Sequence, residues 1–344
     1  MRCIELFAGA GGAALGLEAA GFEHAALCEW DADACATLRA AGLGPVVEGD
    51  VRDLDAIAET AGTEPVDLVW SSFPCQAWSQ AGARKGAQDE RNGWPWTVDA
   101  LDRFRPRWFL GENVRGLVQH SSEGHPDPDK CPRCYFETVI LAQLRERFAH
   151  IGWWLLDAAD YGVPQHRRRV ILWAGPVLLQ SPRPTHGAPS AARQVSMWGP
   201  TVQPWVTMGE ALGIDVGEVV AAGETGEGRP RPLSQSAPTI GTKGTAYLLR
   251  PSPTVSAAGE CKGSGAGANP QKMQRASDAL FLATGRRRLT VAECATLQGF
   301  PDAHPWQGAK TARYRQVGNA VPPRLAEVVG RAVVNAGARP DGWG

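Results

Sequence analysis

Two apolar rhythms alternate through the first half of the chain. Short runs dense in apolar and β-branched residues fall at 3–6, 25–29, 66–71, 108–112, 154–157 and 170–174, and another ends at Asp50. Between them, 13–20, 31–41 and 136–148 carry apolar residues at helical spacing; in the last, Phe136, Val139, Ile140, Leu144 and Phe148 share a face. Strands alternating with helices predict a doubly wound, mostly parallel α/β sheet, Rossmann-like in outline. Gly21 and Gly42 stand where helix-ending glycines belong. From about 176 to 285 the rhythm fails. Pro, Gly, Ser and Thr dominate there, and Ser236-Ala-Pro-Thr-Ile240 is weakly echoed by Pro251-Ser-Pro-Thr-Val255. Trp198, Trp205, Leu248 and Phe281 supply some core, which favours a small, irregular, mostly β domain over a linker. Regular patterning returns at 290–297. A last helix follows Pro322-Pro323, with Leu325, Val328, Val329, Ala332 and Val333 on one face. The expected organisation is a domain at 1–175, a smaller one at 176–285, and a return to the first at 286–338.

Composition narrows the classes only a little. With 35 basic and 36 acidic residues in 344, the net charge of -1 neither requires nor excludes a nucleic-acid partner. No apolar run is long enough to span a bilayer and no charged-then-apolar leader opens the chain, which predicts a cytoplasmic protein without a membrane partner. Most of the 8 cysteines are single and set in apolar segments (Cys3, Cys28, Cys35, Cys294), the pattern of reduced thiols. Cys75 and the pair Cys131/Cys134 break that pattern.

Glu5-Leu-Phe-Ala-Gly-Ala-Gly-Gly12 follows the first strand and opens a helix, where glycines admit a ligand to the backbone. Gly9, Gly11 and Ala14 also fit a dinucleotide-binding pattern with Glu29 downstream, so an NAD enzyme is a rival reading, and a structural glycine turn another. At the second strand's end, Glu29 can accept ribose hydroxyls and Trp30 can stack on an adenine; Asp50 can take the adenine amino group. Taken singly, each acid could instead be a helix cap.

Ser72-Phe-Pro-Cys-Gln-Ala-Trp-Ser79 follows another strand directly. Pro74 stiffens the backbone before Cys75, and a cysteine on a strand-to-loop turn is placed as a nucleophile would be. The competing reading is a buried small hydrophobe. The polar stretch from Gln76 to Gly93 has the glycines of a lid. Glu112-Asn-Val114 ends the next strand and offers a general acid; Gln165-His-Arg-Arg-Arg-Val170 would aim Arg167 and Arg169 at the same place, unless it is a solvated basic edge. Separately, His120, His125, Cys131 and Cys134 lie close in sequence, the last two as Cys-Pro-Arg-Cys. They could hold a structural zinc, or form an ordinary surface loop.

These motifs, in this order and over essentially the whole length, resemble the DNA cytosine-5 methyltransferase family. The glycine loop, Phe73-Pro-Cys-Gln76, Glu112-Asn-Val, Gln165-x-Arg-x-Arg, Arg288-Leu-Thr-Val-Ala-Glu293 with Gln298-Gly-Phe-Pro301, and Gln316-Val-Gly-Asn-Ala-Val321 each match a family motif; Ser71-Ser72 is a minor departure. The resemblance implies methyl transfer from S-adenosylmethionine to C5 of a cytosine flipped from double-stranded DNA. Cys75 would attack C6, Glu112 would serve N3, Arg169 would contact the O2 side, and Arg167 would help to hold the adduct or a phosphate. The implied cofactor pocket comprises Phe7, Ala8, Gly9, Gly11, Gly12, Glu29, Trp30, Asp50, Val51, Pro74, Trp94, Asn319 and Ala320. Gln76, Ser79 and Gln165 would meet DNA, and 176–285 would select the sequence. A monomer is expected, with a cognate restriction endonuclease acting separately. A tRNA cytosine methyltransferase of similar fold is the nearer alternative; a DNA-binding regulator without catalysis is another.

Overall fold

The computed structural model describes residues 1–74, 92–120, 131–188, 202–214, 218–223, 226–227, 231–232, 234–237, 246–249 and 286–337. Strands β1 (Arg2–Leu6), β2 (Glu23–Glu29), β3 (Val46–Glu48), β4 (Leu68–Ser71), β5 (Trp108–Val114), β6 (His150–Asp157) and β7 (Arg168–Gly175) form one sheet. Its order is β3-β2-β1-β4-β5-β7-β6, parallel from β3 to β5, with β7 antiparallel to both neighbours. The expected mostly parallel, doubly wound α/β sheet is therefore the fold. β6 begins earlier than its apolar run suggests, because Trp153 packs on one sheet face and Trp154 on the other.

Helices α1 (Gly12–Ala19), α2 (Ala32–Ala40), α3 (Leu54–Ala61) and α4 (Trp94–Phe104) connect the parallel strands. Asp31 caps α2 and Asp53 caps α3, each accepting a backbone N–H from the first turn. The helix expected at 136–148 starts sooner, as α5 (Pro132–Tyr135), passes through a π turn at Phe136–Ile140, and ends as α6 (Leu141–Arg145). Short helices α7 (Met208–Leu212) and α8 (Val291–Leu297) open with matched capping boxes, Thr207/Glu210 and Thr290/Glu293. The chain then forms α9 (Lys310–Asn319) and α10 (Pro323–Gly337).

Alternation along each strand divides the core. Ile4, Leu6, Val69, Phe109 and Leu172 meet Val98 and Leu101 of α4, with Phe136, Ile140 and Leu144. Cys3, Leu68, Trp70, Trp108 and Ile171 meet α1 and α10 on the other face. On α10, Leu325, Val329 and Val333 are wholly buried, at about 1.5–3 kcal/mol for each side chain. The approach of α10 to α1 needs glycine. A Cβ at Gly12 would stand 2.1 Å from the Val321 carbonyl oxygen, and one at Gly16 would stand 2.2 Å from that of Pro323. Gly16→Ala gains about 1 kcal/mol of helix propensity but overpacks backbone that cannot swing aside, at about 3 kcal/mol. Urea unfolding should show a net loss of about 2 kcal/mol; a variant as stable as the parent would refute this contact.

A second, antiparallel sheet joins Glu218–Gly223 to Ala246–Leu249, Gly226–Glu227 and Arg231–Pro232. Arg286–Arg288 pairs with Ala246–Leu249, so this sheet continues past residue 285. It is tied to the large sheet at 235–237, where His166 N–H donates to Ala237 O and Ala237 N–H to Pro164 O.

Candidate active site

The topology brings the chemistry to one sheet edge. β1, β2, β4 and β5 all end there, and β7, running the other way, begins there, with Arg169 opposite Val114 and Ile171 opposite Glu112. Strand order reverses between β1 and β4, and α/β sheets receive ligands at such a switch point.

On the β1 side, Phe7 (φ 58), Gly9 (φ 56) and Gly11 (φ 89) turn the chain sharply into α1. Gly11 is the N-cap and offers no side-chain cap, which leaves the first-turn N–H groups to a ligand. A Cβ at Gly9 would meet nothing within 4 Å, so that face of the loop is open. Ala8 is buried, and its N–H donates to Cys28 O at 3.0 Å. The buried Glu29 carboxylate accepts N–H groups from Gly9 (2.8 Å), Trp30 (3.0 Å) and Asp31 (2.9 Å). Burial raises its pKa against the pull of those donors. Beside it, Trp30 is 78% exposed, the most open large apolar side chain among the described residues.

Other members of the expected pocket are placed differently. Asp50 is chelated by Arg52 at 2.6–3.0 Å, which holds its carboxyl below the usual range, so its oxygens already have a donor two residues away. Val51 points into the core and offers a ligand only its backbone. Trp94 is 1% exposed, donates to Gln143 at 2.7 Å and packs edge-on to Phe73, so it is core rather than pocket wall. The half-buried tryptophan of that helix is Trp96, stacked on Phe7 with centroids 6.4 Å apart. Pro74 lies against Gly93, where a Cβ would meet its ring at 2.5 Å. Asn319 is exposed at the end of α9, and the buried Ala320 abuts Gly12.

Cys75, Gln76 and Ser79 lie outside the described residues, as does most of the expected lid. The turn leading to Cys75 is held from β5: Asn113 Nδ2 donates to Phe73 O at 3.0 Å. Next to it, Glu112 is buried, with Oε1 2.8 Å from Arg169 Nε. Burial raises the Glu112 pKa, and the Arg169 and Arg167 guanidinium groups pull against it without prevailing. Arg167 stands beside the Glu112–Arg169 pair. It is buried and donates to Gly318 O and Ala320 O, both at 2.9 Å, which fastens the α9–α10 turn to β7. Burial, with Arg169 nearby, pushes its own pKa well down. Gln165 is wholly enclosed, beside the bridge to Ala237, so its amide does not reach outward toward DNA.

Residues the sequence reading did not single out complete the framework. His304 is buried, which lowers its pKa, and Nε2–H donates to Ala10 O at 3.0 Å. Gln298 donates to Val317 O, and Thr37 donates to Gln316 at 2.8 Å. Gln298 and Gln316 stood in recognised motifs; His304 carried no signal beyond its type. His120, Cys131 and Cys134 converge, their ligand atoms all within 4.8 Å of one another, while His125 lies outside the described residues. No described helix is long and apolar enough to cross a membrane.

The open glycine loop, the uncapped start of α1, Trp30 and the Glu112–Arg169 pair thus lie along one edge of the sheet. The pattern of the C-5 cytosine-specific DNA methylase family matches residues 1–178 and 236–335, and the chain belongs to that family. It is 34% identical to the Type II methyltransferase M.NgoMIV of Neisseria gonorrhoeae over 97% of each chain. It is 33% identical to M.NaeI of Lentzea aerocolonigenes over 97% of this chain and 74% of that one. Two solved structures share the fold. A putative DNA modification methyltransferase of an E. coli prophage superposes with TM-score 0.60, at 20% identity over 97% and 99% of the chains. Spodoptera frugiperda DNMT2 gives 0.61, at 16% identity over 97% and 99%. The chain is an S-adenosylmethionine-dependent DNA cytosine-5 methyltransferase.

Proposed function

We propose that the cleft between the glycine loop and the Glu112–Arg169 pair holds the methyl donor on one side and a flipped cytosine on the other. The observation that carries this reading is the convergence on one edge of Glu112, Arg169 and the turn into Cys75, the last tied to β5 through Asn113. When bound, the cofactor supplies an electrophilic sulfonium methyl. The adenosyl part would fit the open face of Gly9 and the exposed Trp30 ring, with Glu29 fixing the loop and taking a ribose hydroxyl on the remaining lone pair of Oε2.

C5 of cytosine is a weak nucleophile. The Cys75 thiolate adds to C6, and the displaced electron pair moves toward N3 and O2. Glu112, its proton retained by burial, donates to N3, and Arg169 holds O2. C5 is then enamine-like and takes the methyl group; loss of the C5 proton to water, expulsion of the Cys75 thiolate and return of the N3 proton to Glu112 restore the ring. A stacked base cannot reach Cys75, so the cytosine leaves the duplex. Arg167 acts at one remove, holding the α9–α10 turn against the glycine loop.

Sequence choice falls to the smaller lobe, expected at 176–285 and extended here by Arg286–Arg288. In support, residues 179–235 fall outside the family pattern, as befits the part that differs with each target. The Type II names of the relatives favour a separate restriction endonuclease of the same specificity. A monomer at the nucleoid in the cytoplasm suits that role. Bisulfite sequencing of DNA from cells expressing the chain tests the reading: one short motif should be methylated throughout, and exchanging 176–288 for a relative's lobe should change the motif. Methylation confined to tRNA would overturn it.

Trp30→Ala should weaken cofactor binding by about 1–3 kcal/mol, the loss of a stacked ring and its buried area. Being exposed, Trp30 contributes little to the fold, so thermal stability should hold. Unchanged affinity by calorimetry would remove Trp30 from the pocket.

A further inference from the structure

The methylation mechanism makes no use of the cluster formed by His120, Cys131 and Cys134. We infer that these three side chains form a structural zinc site, placed on the segment that joins the Glu112 strand to the helix behind it.

The donor set comes first. Two thiols and an imidazole are borderline-soft ligands that select zinc over magnesium or calcium. Their ligand atoms lie within 4.8 Å of one another although His120 and Cys131 are separated by a long connection. Geometry is the second argument. Tetrahedral zinc, with Zn–S about 2.3 Å and Zn–N about 2.0–2.1 Å, sets sulfur and nitrogen about 3.6 Å apart. Cys131 Sγ and His120 Nδ1 are 3.6 Å apart. The third is local scaffolding. Pro132 starts α5 directly after Cys131, so one turn of helix brings Cys134 back to the same side. Arg133, between the cysteines, donates to Val118 O at 3.2 Å and stands over the Trp153 ring, which fixes the pair against the short 3-10 turn before His120.

Cys131 is fully buried and His120 exposed, so the site runs from the core to the surface. Binding balances simply: Zn²⁺ enters, the Cys131 and Cys134 thiol protons leave to solvent, and neutral His120 donates its Nδ1 lone pair. No electron moves and no bond in the substrate is touched. The role is a clasp. β5 ends at Val114 and a 3-10 turn leads to His120; on the other side, Tyr135 follows Cys134 and accepts from Asn92 at 2.9 Å. The clasp therefore holds together the segments that follow Glu112 and precede α4. The three donors define it whichever group completes the tetrahedron.

The test uses the untagged full chain, purified without chelator and then offered Zn²⁺ alone. Elemental analysis should give about one equivalent of tightly held zinc per chain. Titrating the thiols with a mercurial should release that zinc as thiols are blocked. Cys134→Ser and His120→Ala, the less buried positions, should each weaken zinc binding roughly tenfold or more in competition with a chromophoric chelator. Cys131→Ser should do the same where it folds. Cys294→Ser, in the core of α8, should keep its zinc. Zinc below about a tenth of an equivalent after reconstitution, or equal zinc affinity in Cys134→Ser, His120→Ala and the parent, would overturn the site.

Discussion

Cys75→Ala should lower the rate of methyl transfer on the order of 10⁶-fold, the scale on which losing a covalent nucleophile cuts turnover. The expectation rests on the turn from Ser71 to Pro74, which ends β4 at the catalytic edge and is pinned through Phe73 O to Asn113. The cofactor loop is held by Glu29 and His304, so S-adenosylmethionine affinity should barely change. Two measurements separate chemistry from collapse. Calorimetry with the cofactor should match the parent, and DNA carrying 5-fluorocytosine should trap the parent chain covalently but not the variant. Fluorine cannot leave as the C5 proton does, so the adduct persists once the methyl group is on. A variant that still methylates, or still becomes trapped, would show that another group attacks C6.

Glu112→Gln should cost about 10²–10⁴-fold in kcat/KM, the worth of a positioned general acid. Gln keeps the shape and a hydrogen bond toward N3 but cannot pass a proton, so the fold should survive. The pH profile gives the sharper readout. Burial holds the Glu112 proton to a higher pH than an ordinary carboxylate. The acting form is the protonated one, so its contribution is full at low pH and is lost as pH rises through the raised pKa. In the variant that limb should disappear, while any limb set by the Cys75 thiol should remain. An unchanged profile would assign the proton transfer elsewhere.

Much of this was legible in the sequence, for identifiable reasons. Strands buried on both faces are nearly continuous apolar runs, so the sequence places β1, β2, β4, β5 and β7 within a few residues. The motifs carried the edge, because glycine loops and acid-tipped strands need those residue types. Partners were not legible. Asp50 looked available until Arg52 folded back on it. Gln165 is expected to meet DNA and Arg167 to aim at the base, yet the 235–237 segment packs beside one and carbonyls of the α9–α10 turn accept from the other. Trp94 and Trp96 differ by two positions on α4; only packing decides which faces Phe7. α9, Lys-Thr-Ala-Arg-Tyr-Arg-Gln-Val-Gly-Asn, has little apolar pattern because Gln316, accepting from Thr37 and donating to Gln307 O, docks it as much as burial does.

The closure of α10 over α1 also sets a clock on how the molecule can be made. Gly12 leaves the ribosome about 300 residues before Val321, an interval of about 15–60 s at ordinary elongation rates. During that time Ala13, Leu17 and Ala20 have no partner helix, and the carbonyls that accept from Arg167 have not yet been synthesised. The glycine loop is made well before the segments that complete its shape. A nascent chain of this kind carries an apolar seam for the whole of that interval, and its cofactor loop is fully packed only when the last of these segments emerges.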